Sequence, residues 1–223
     1  MNSRTKKTLI AVGVVFLILL IDQLSKIWVK TNMALFDNIY VFGDWFQIRF
    51  VENDGMIFGI EAGNKLLLTL FRIFIVCCFT FFIVRLIRQD YKIGFIVCAS
   101  LVLAGGVGNV IDNVFYGLIF EASTPTHVAS FVPWGQGYAS LFHGSVVDML
   151  YFPIIQSTYP QWVPFFGGQD FLFFRYIFNV ADSAVFSGVV LLLIFYRHTF
   201  FYSLMSKKER EKFDKEKQEQ QNA

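Results

Sequence analysis

The chain has 223 residues, of which 55% are hydrophobic, 18% aromatic and only 16% charged. Soluble domains carry roughly 25% charged residues, so a soluble enzyme is excluded and an integral membrane protein is expected. The formal net charge of +2 conceals an uneven placement of basic residues, and no nucleic-acid partner is expected.

Four apolar segments approach the roughly 20 residues that cross a hydrocarbon core: about 8–28, 66–88, 93–115 and 174–197. Segment one follows Arg4, Lys6 and Lys7 and reads as an uncleaved signal anchor. Arg85, Arg88 and Lys92 bracket the turn between segments two and three, and Arg197, Lys207, Lys208 and Arg210 follow segment four. The positive-inside rule then puts both termini and the central turn in the cytoplasm. The long connections, 31–65 and 116–173, face outward.

The first of these connections holds two strand-like pieces, Ile39–Phe42 and Phe46–Val51, joined by a turn at Gly43-Asp44. The second contains all five prolines, which disfavour a continuous helix, and a short amphipathic helix around Val146–Phe152 is expected in the interface. Trp28, Trp45, Trp134 and Trp162 fall near the outer interface, where amphipathic rings are favoured. Cys77, Cys78 and Cys98 lie inside spans and read as small buried hydrophobes. His127, His143 and His198 lack ligand spacing, so no metal and no cofactor is expected. The expected fold is an all-α membrane protein: four transmembrane helices, a small extracytoplasmic β-sheet and a short interfacial helix. It forms one domain over residues 1–205, followed by a charged cytoplasmic tail, 206–223.

The polar residues within the apolar runs carry the chemistry. At 1.5 Å per residue, Asp22 and Lys26 lie roughly 21 and 27 Å along segment one, and Asn109 and Asp112 roughly 24–29 Å along segment three. Asp182 lies roughly 12 Å below the outer end of segment four. All occupy the outer third of the bilayer. Asp22 and Lys26 are spaced i,i+4, while Asn109–Asp112 and Asn179–Asp182 are spaced i,i+3, so each pair shares a helix face. Gly105, Gly106 and Gly108 permit close helix approach. Each signal also has a structural reading: a charge pair as anchor, glycines as packing devices, Asn as interhelical glue, Asp44 and Asp54 as turn residues, Arg72 as a snorkelling side chain. No serine or cysteine has a recognisable base beside it, which leaves the carboxylates as the reactive candidates.

Five blocks in order resemble the lipoprotein signal peptidases (signal peptidase II), bacterial membrane aspartic peptidases: Asp22-Gln23-Leu24-Ser25-Lys26, Asn53-Asp54-Gly55-Met56-Ile57-Phe58-Gly59, Gly105-Gly106-Val107-Gly108-Asn109-Val110-Ile111-Asp112, Gly144-Ser145-Val146-Val147-Asp148 and Phe178-Asn179-Val180-Ala181-Asp182. The resemblance implies a catalytic dyad of Asp148 and Asp182, supported by Asp22, Lys26, Asn53, Gly55, Asn109, Asp112, Asn179 and Ala181. It also implies a prolipoprotein substrate with a diacylglyceryl-modified Cys, cut just before that Cys by a monomer among lipids of the bacterial inner membrane. Two features depart from the family. The Arg that follows the third-block Asp is Asn113 here, leaving its role to Arg72 or Arg175. The stretches about 118–143 and 155–172 are longer than usual. The rival readings are a proton-coupled carrier or channel, a structural or chaperone-like membrane protein, and a different intramembrane aspartyl protease. Against the carrier, the polar groups stop in the outer third, whereas carriers bind near the midplane.

Overall fold

A computed structural model describes residues 2–55 and 65–221. Met56–Gly59 of the second block lie outside the described residues. In chain order the elements begin with helix α1 (Ser3–Asn32), strands β1 (Asn38–Phe42) and β2 (Phe46–Asn53), and helices α2 (Lys65–Arg88) and α3 (Ile93–Ile111). A π-helical turn (Asp112–Tyr116) and a single turn α4 (Gly117–Ile119) prolong α3. Strands β3 (Val146–Tyr151), β4 (Ile155–Thr158), β5 (Asp170–Phe173) and β6 (Ile177–Phe178) follow, then helices α5 (Val180–Phe195), α6 (Arg197–Leu204) and α7 (Lys207–Gln221).

Among the described residues, three helical stretches are long and apolar enough to cross a membrane: α1, α2, and α3 continued to Ile119. The fourth expected segment is a bent pair, α5 with α6, which turns through 95°. Only if the pair counts as one span does the number reach four. Outward faces are apolar, with Phe16, Leu67, Phe74, Phe81 and Phe186 all well exposed. Lipid tolerates such a surface and water does not. Cys98 is buried as expected, but Cys77 and Cys78 lie on the exposed face of α2.

Among the described residues the core has two apolar clusters. One joins Ala11, Ile83, Leu86, Phe95, Ile96 and Leu192. The other joins Val29, Met33, Phe50, Tyr116, Phe120, Val147 and Met149 beneath the sheet. Along α1 and α3 the polar residues of the first and third blocks fall between the two. Small residues bring the helices together there: a Cβ at Gly105 would overlap the carbonyl oxygen of Ala181 on α5, and one at Gly108 would lie 3.1 Å from the Ala181 Cβ.

The main sheet has the order β1-β2-β3-β6, with antiparallel neighbours. Its first hairpin matches the two strand-like pieces, and Gly43 supplies the positive φ of +51° that the turn requires. The expected interfacial helix at Val146–Phe152 is corrected: these residues form β3, paired on both sides. A short run bounded by Gly144 and Pro153, apolar except for Ser145 and Asp148 and with two consecutive valines, favours a buried strand over a helix. Segment four is corrected at its start. Ile177 and Phe178 pair with β3, and the helix begins at Val180 rather than near residue 174. Asp182 therefore lies in the first helical turn.

The stretches about 118–143 and 155–172 make contacts of their own. The first docks on α1 and β2 through Lys30, whose ammonium pairs with Glu52, donates to Ser123 Oγ (3.0 Å) and sits 4.8 Å from the Tyr138 ring centre. The second is the β4–β5 hairpin, with Trp162 and Phe165 exposed near its tip. The tail forms helix α7, tied back by Arg210 to the Ser203 carbonyl (2.7 Å) and by Asp214 to the Tyr202 hydroxyl (2.9 Å).

Candidate active site

Asp148 sits on an inner strand, opposite Val51 of β2, and is buried. Two residues further on, Leu150 pairs with Phe178 of β6. β6 is followed at once by Asn179, the N-cap of α5, and that short connection brings the fourth and fifth blocks together.

Asn179 joins both carboxylates. Its Nδ2 donates to Asp148 Oδ1 (2.7 Å), to Asn109 Oδ1 (3.2 Å) and to the Val147 carbonyl (3.3 Å). Its Oδ1 accepts from the Asp182 backbone N–H (2.8 Å), and Asp182 Oδ2 in turn accepts from the Asn179 N–H (3.4 Å). This is a capping box, with Asp where Glu is usual. Asp182 Oδ1 accepts from Asn109 Nδ2 (2.8 Å), and Asp148 Oδ2 from Asn53 Nδ2 (3.2 Å). Each carboxylate is thus held by one asparagine of its own, and both by Asn179. Asn53 Oδ1 accepts from the Gly55 N–H (2.9 Å), fixing the turn at Gly55, whose φ is +76°.

Beneath this layer lies an ionic one. Lys26, fully buried, pairs with Asp22 (2.9 Å) and Asp112 (2.8 Å) and donates to Asn109 Oδ1 (2.9 Å). Asn109 is therefore oriented completely: its oxygen accepts from Lys26 and Asn179, which leaves its NH₂ for Asp182. Asp22 Oδ1 accepts from the Ala181 backbone N–H (2.8 Å), satisfying a donor of the first turn of α5. Asp112 Oδ2 reaches the Val147 N–H (3.4 Å), next to Asp148. The π-helical turn begins at Asp112, and Asp112, Asn113 and Tyr116 within it are all buried.

Electrostatics separates the groups of the sheet. Burial first, then the charge of Asp182, pushes Asp148 up to about 7, against the opposing hydrogen bonds from Asn53 and Asn179 and the charge of Lys26. Asp54 goes the other way. Partial burial raises it, but hydrogen bonds from Lys65 (2.7 Å) and Ser145 (2.5 Å) outweigh that and hold its carboxyl below the usual range. Asp54 is therefore a tie between the second and fourth blocks, beyond the turn role read from sequence. No group of His, Cys, Asp and Glu suited to a metal ion occurs among the described residues.

The chain matches the Peptidase_A8 family, described as signal peptidase (SPase) II, over residues 14–198. The chain belongs to the signal peptidase II family. It is 46% identical to a lipoprotein signal peptidase of Porphyromonas gingivalis over 92% of this chain and 91% of the relative. It is 34% identical to one from Amoebophilus asiaticus, over 85% and 78% respectively. Among solved structures it is similar to a bacterial membrane enzyme determined by the in meso method at 2.3 Å resolution (TM-score 0.55, 26% identity, 85% of this chain and 86% of that one). As a signal peptidase II it is a membrane-embedded hydrolase that removes signal peptides from lipoproteins.

In this signal peptidase II, every candidate site residue read from sequence falls in one connected set. Asn53, Asn109 and Asn179 touch the two aspartates, Asp22, Lys26 and Asp112 brace them, and Gly55 and Ala181 contribute backbone N–H groups. Sequence reasoning passes over Gln23, whose Nε2 bridges Asp112 (2.9 Å) and Asp22 (3.1 Å) and whose Oε1 accepts from Tyr116 (3.2 Å). An amide inside an apolar helix is the available signal. Arg72 does more than snorkel: its guanidinium donates to Asn113 Oδ1.

Proposed function

We propose that the chain removes the signal peptide from diacylglyceryl-modified prolipoproteins by an aspartic mechanism in which Asp148 and Asp182 share one proton. The observation that carries this reading is Asn179, which hydrogen-bonds to both aspartates and leaves each with a separate asparagine partner. Two adjacent carboxyls do not both ionise readily, so one acts as acid and the other as base.

Asp148, buried and raised to about 7, holds the proton. Asp182 carries the charge, within the first turn of α5 where exposed N–H groups favour an anion. Asp182 takes a proton from water as the oxygen attacks the peptide carbonyl just before the lipidated Cys. Asp148 gives its proton to the carbonyl oxygen. On collapse, one hydroxyl of the tetrahedral intermediate returns a proton to Asp148, and Asp182 delivers its own to the leaving α-amine. Both groups end as they began. Positioned transfers of this kind contribute about 10²–10⁴-fold. Asn53, Asn109 and Asn179 orient the pair, while Asp22, Lys26 and Asp112 fix their helices. Gly55 and Ala181 serve through close backbone approach.

The distribution of basic residues supports a topology with both termini in the cytoplasm and the sheet, with its dyad, at the outer face of the inner membrane. There the acyl chains of the substrate stay in lipid while its peptide meets the carboxyls. Four spans, with α5 and α6 together as the last, a charged cytoplasmic tail at 206–223 outside the peptidase domain and a monomeric enzyme complete the reading. The test is gel-shift cleavage of a purified prolipoprotein, with and without its diacylglyceryl group, by wild type, Asp148→Asn and Asp182→Asn. The expected result is preference for the lipidated form and no cleavage by either variant. Processing by either variant at the wild-type rate sinks the dyad.

A further inference from the structure

Arg72 is the only charged residue of α2 between Lys65 and Arg85. A cation inside an apolar helix is costly and calls for a partner. Its Nη1 donates to Asn113 Oδ1. Asn113 is buried and cannot turn away, because its Nδ2 is committed to the Gly144 carbonyl (2.9 Å). The other side of the guanidinium packs on Gly55: a Cβ there would lie 3.2 Å from Nη2. Gly55 follows Asn53, the partner of Asp148, by two residues. The charges that act on Arg72 belong to Asp182, Asp148 and Asp112, in that order, yet no ion pair within 4 Å involves it among the described residues. A neutral tether holds it against Gly55, whose N–H bonds to Asn53, the partner of Asp148.

The local charge balance defines its role there. From α1 and α3, Lys26 faces both Asp22 and Asp112, so that trio is one charge short of neutral. Glu52 of β2 is matched by Lys30, and Asp54 by Lys65. Arg175, ahead of β6, is exposed. An ionised dyad would therefore add its negative charge to an already negative layer. Lys26 acts on Asp148 from below, and among the described residues Arg72 is a further cation, outside those pairs, on which the charges of both Asp182 and Asp148 act.

We infer that Arg72 is a positioning residue which, held by Asn113 and Gly55, keeps one negative charge on the Asp148–Asp182 pair. The cation reaches the site from α2, and Asn113 is its tether rather than its replacement. The inference rests on the dyad reading above.

The pH dependence of kcat/KM for the lipidated prolipoprotein, measured with the purified full chain in detergent, tests it in wild type, Arg72→Gln, Arg72→Lys and Asn113→Ala, with Asp148→Asn as control. Without the cation both limbs of the profile move to higher pH. About one pH unit is expected for Arg72→Gln, which reads as about a tenfold loss on the acid side. Arg72→Lys keeps the charge and leaves the limbs within a few tenths of wild type. Asn113→Ala releases the tether and moves them in the Gln direction by less, and it serves as the test should Arg72→Gln fold poorly. Limbs unmoved in the Gln and Ala variants, per folded molecule, overturn the inference and leave the dyad intact. Cleavage by Asp148→Asn overturns the dyad reading itself.

Discussion

Asp148→Asn should inactivate the enzyme and, above neutral pH, stabilise it. Asp148 is 3% exposed, and its carboxyl is raised from 3.8 to about 7. At pH values below about 3.8 the folded and unfolded forms both hold the proton, and the group is neutral to stability. As pH rises towards 7 the unfolded chain releases its proton and the folded chain keeps it, so stability falls. Above about 7 the loss is complete and stays constant. At 1.36 kcal/mol per pH unit the loss is about 4 kcal/mol. Asparagine never ionises and avoids it. The substitution has its own cost: Asn179 still finds an acceptor at Oδ1, but the new NH₂ faces Asn53 Nδ2. Asn53 is exposed and can turn, so about 1 kcal/mol is lost. The variant should therefore be slightly less stable than wild type near pH 4 and about 3 kcal/mol more stable near pH 8. Thermal unfolding in detergent at both pH values measures this, at roughly 2–4 °C per kcal/mol for a chain of this size. An offset between variant and wild type that is the same at pH 4 and pH 8 refutes the reasoning.

Wild-type kcat/KM should fall as pH rises through about 7, because Asp148 must be protonated to donate; a profile flat from pH 6 to 9 contradicts this assignment of the acid. Lys26→Met strands Asp22 and Asp112 without their cation, a loss of about 3–5 kcal/mol for a broken buried pair; membrane-fraction immunoblots should show a large drop in chain that Asp112→Asn partly reverses. Gly105→Ala forces α5 away from α3, since the added Cβ overlaps the Ala181 carbonyl; cleavage should be lost, whereas Gly13→Ala, with nothing within 4 Å of its Cβ, should process normally.

Helices α1, α2 and α3 were legible because apolar runs of that length suit little besides a membrane span. Asn179 and Asp182 were legible as a helix-face pair, and the structure adds that they form the cap that starts the helix. The run from Phe174 to Phe178 was not separable from that helix by composition, since aromatic residues suit strands and membrane spans alike. Val146–Tyr151 was ambiguous for a related reason: six residues, apolar but for Asp148, are compatible with either period, and pairing to β2 and β6 decides it. Most of the candidate site was visible in the five blocks. What stayed hidden are the links between them. Gln23 spanning Asp22 and Asp112 and Ser145 reaching Asp54 join residues of different blocks, and Arg72, outside every block, reaches Asn113. No spacing along one helix foretells such bonds.

The placement of Lys26 has a consequence for biogenesis. Asp22 and Lys26 enter the bilayer on one helix face as a neutral couple, so α1 can insert without help. Asp112 has no such companion on α3: its cation and its amide donor, Gln23, both belong to α1. The N-terminus of α5 likewise finds its acceptor on α1, at Asp22. Helix α1 precedes α3 and α5 in the chain and is thus a template that they complete. A chain that inserts α3 or α5 out of register leaves bare polar groups in lipid, a state that membrane proteases clear. Damage to α1 should register as missing enzyme rather than as slow enzyme.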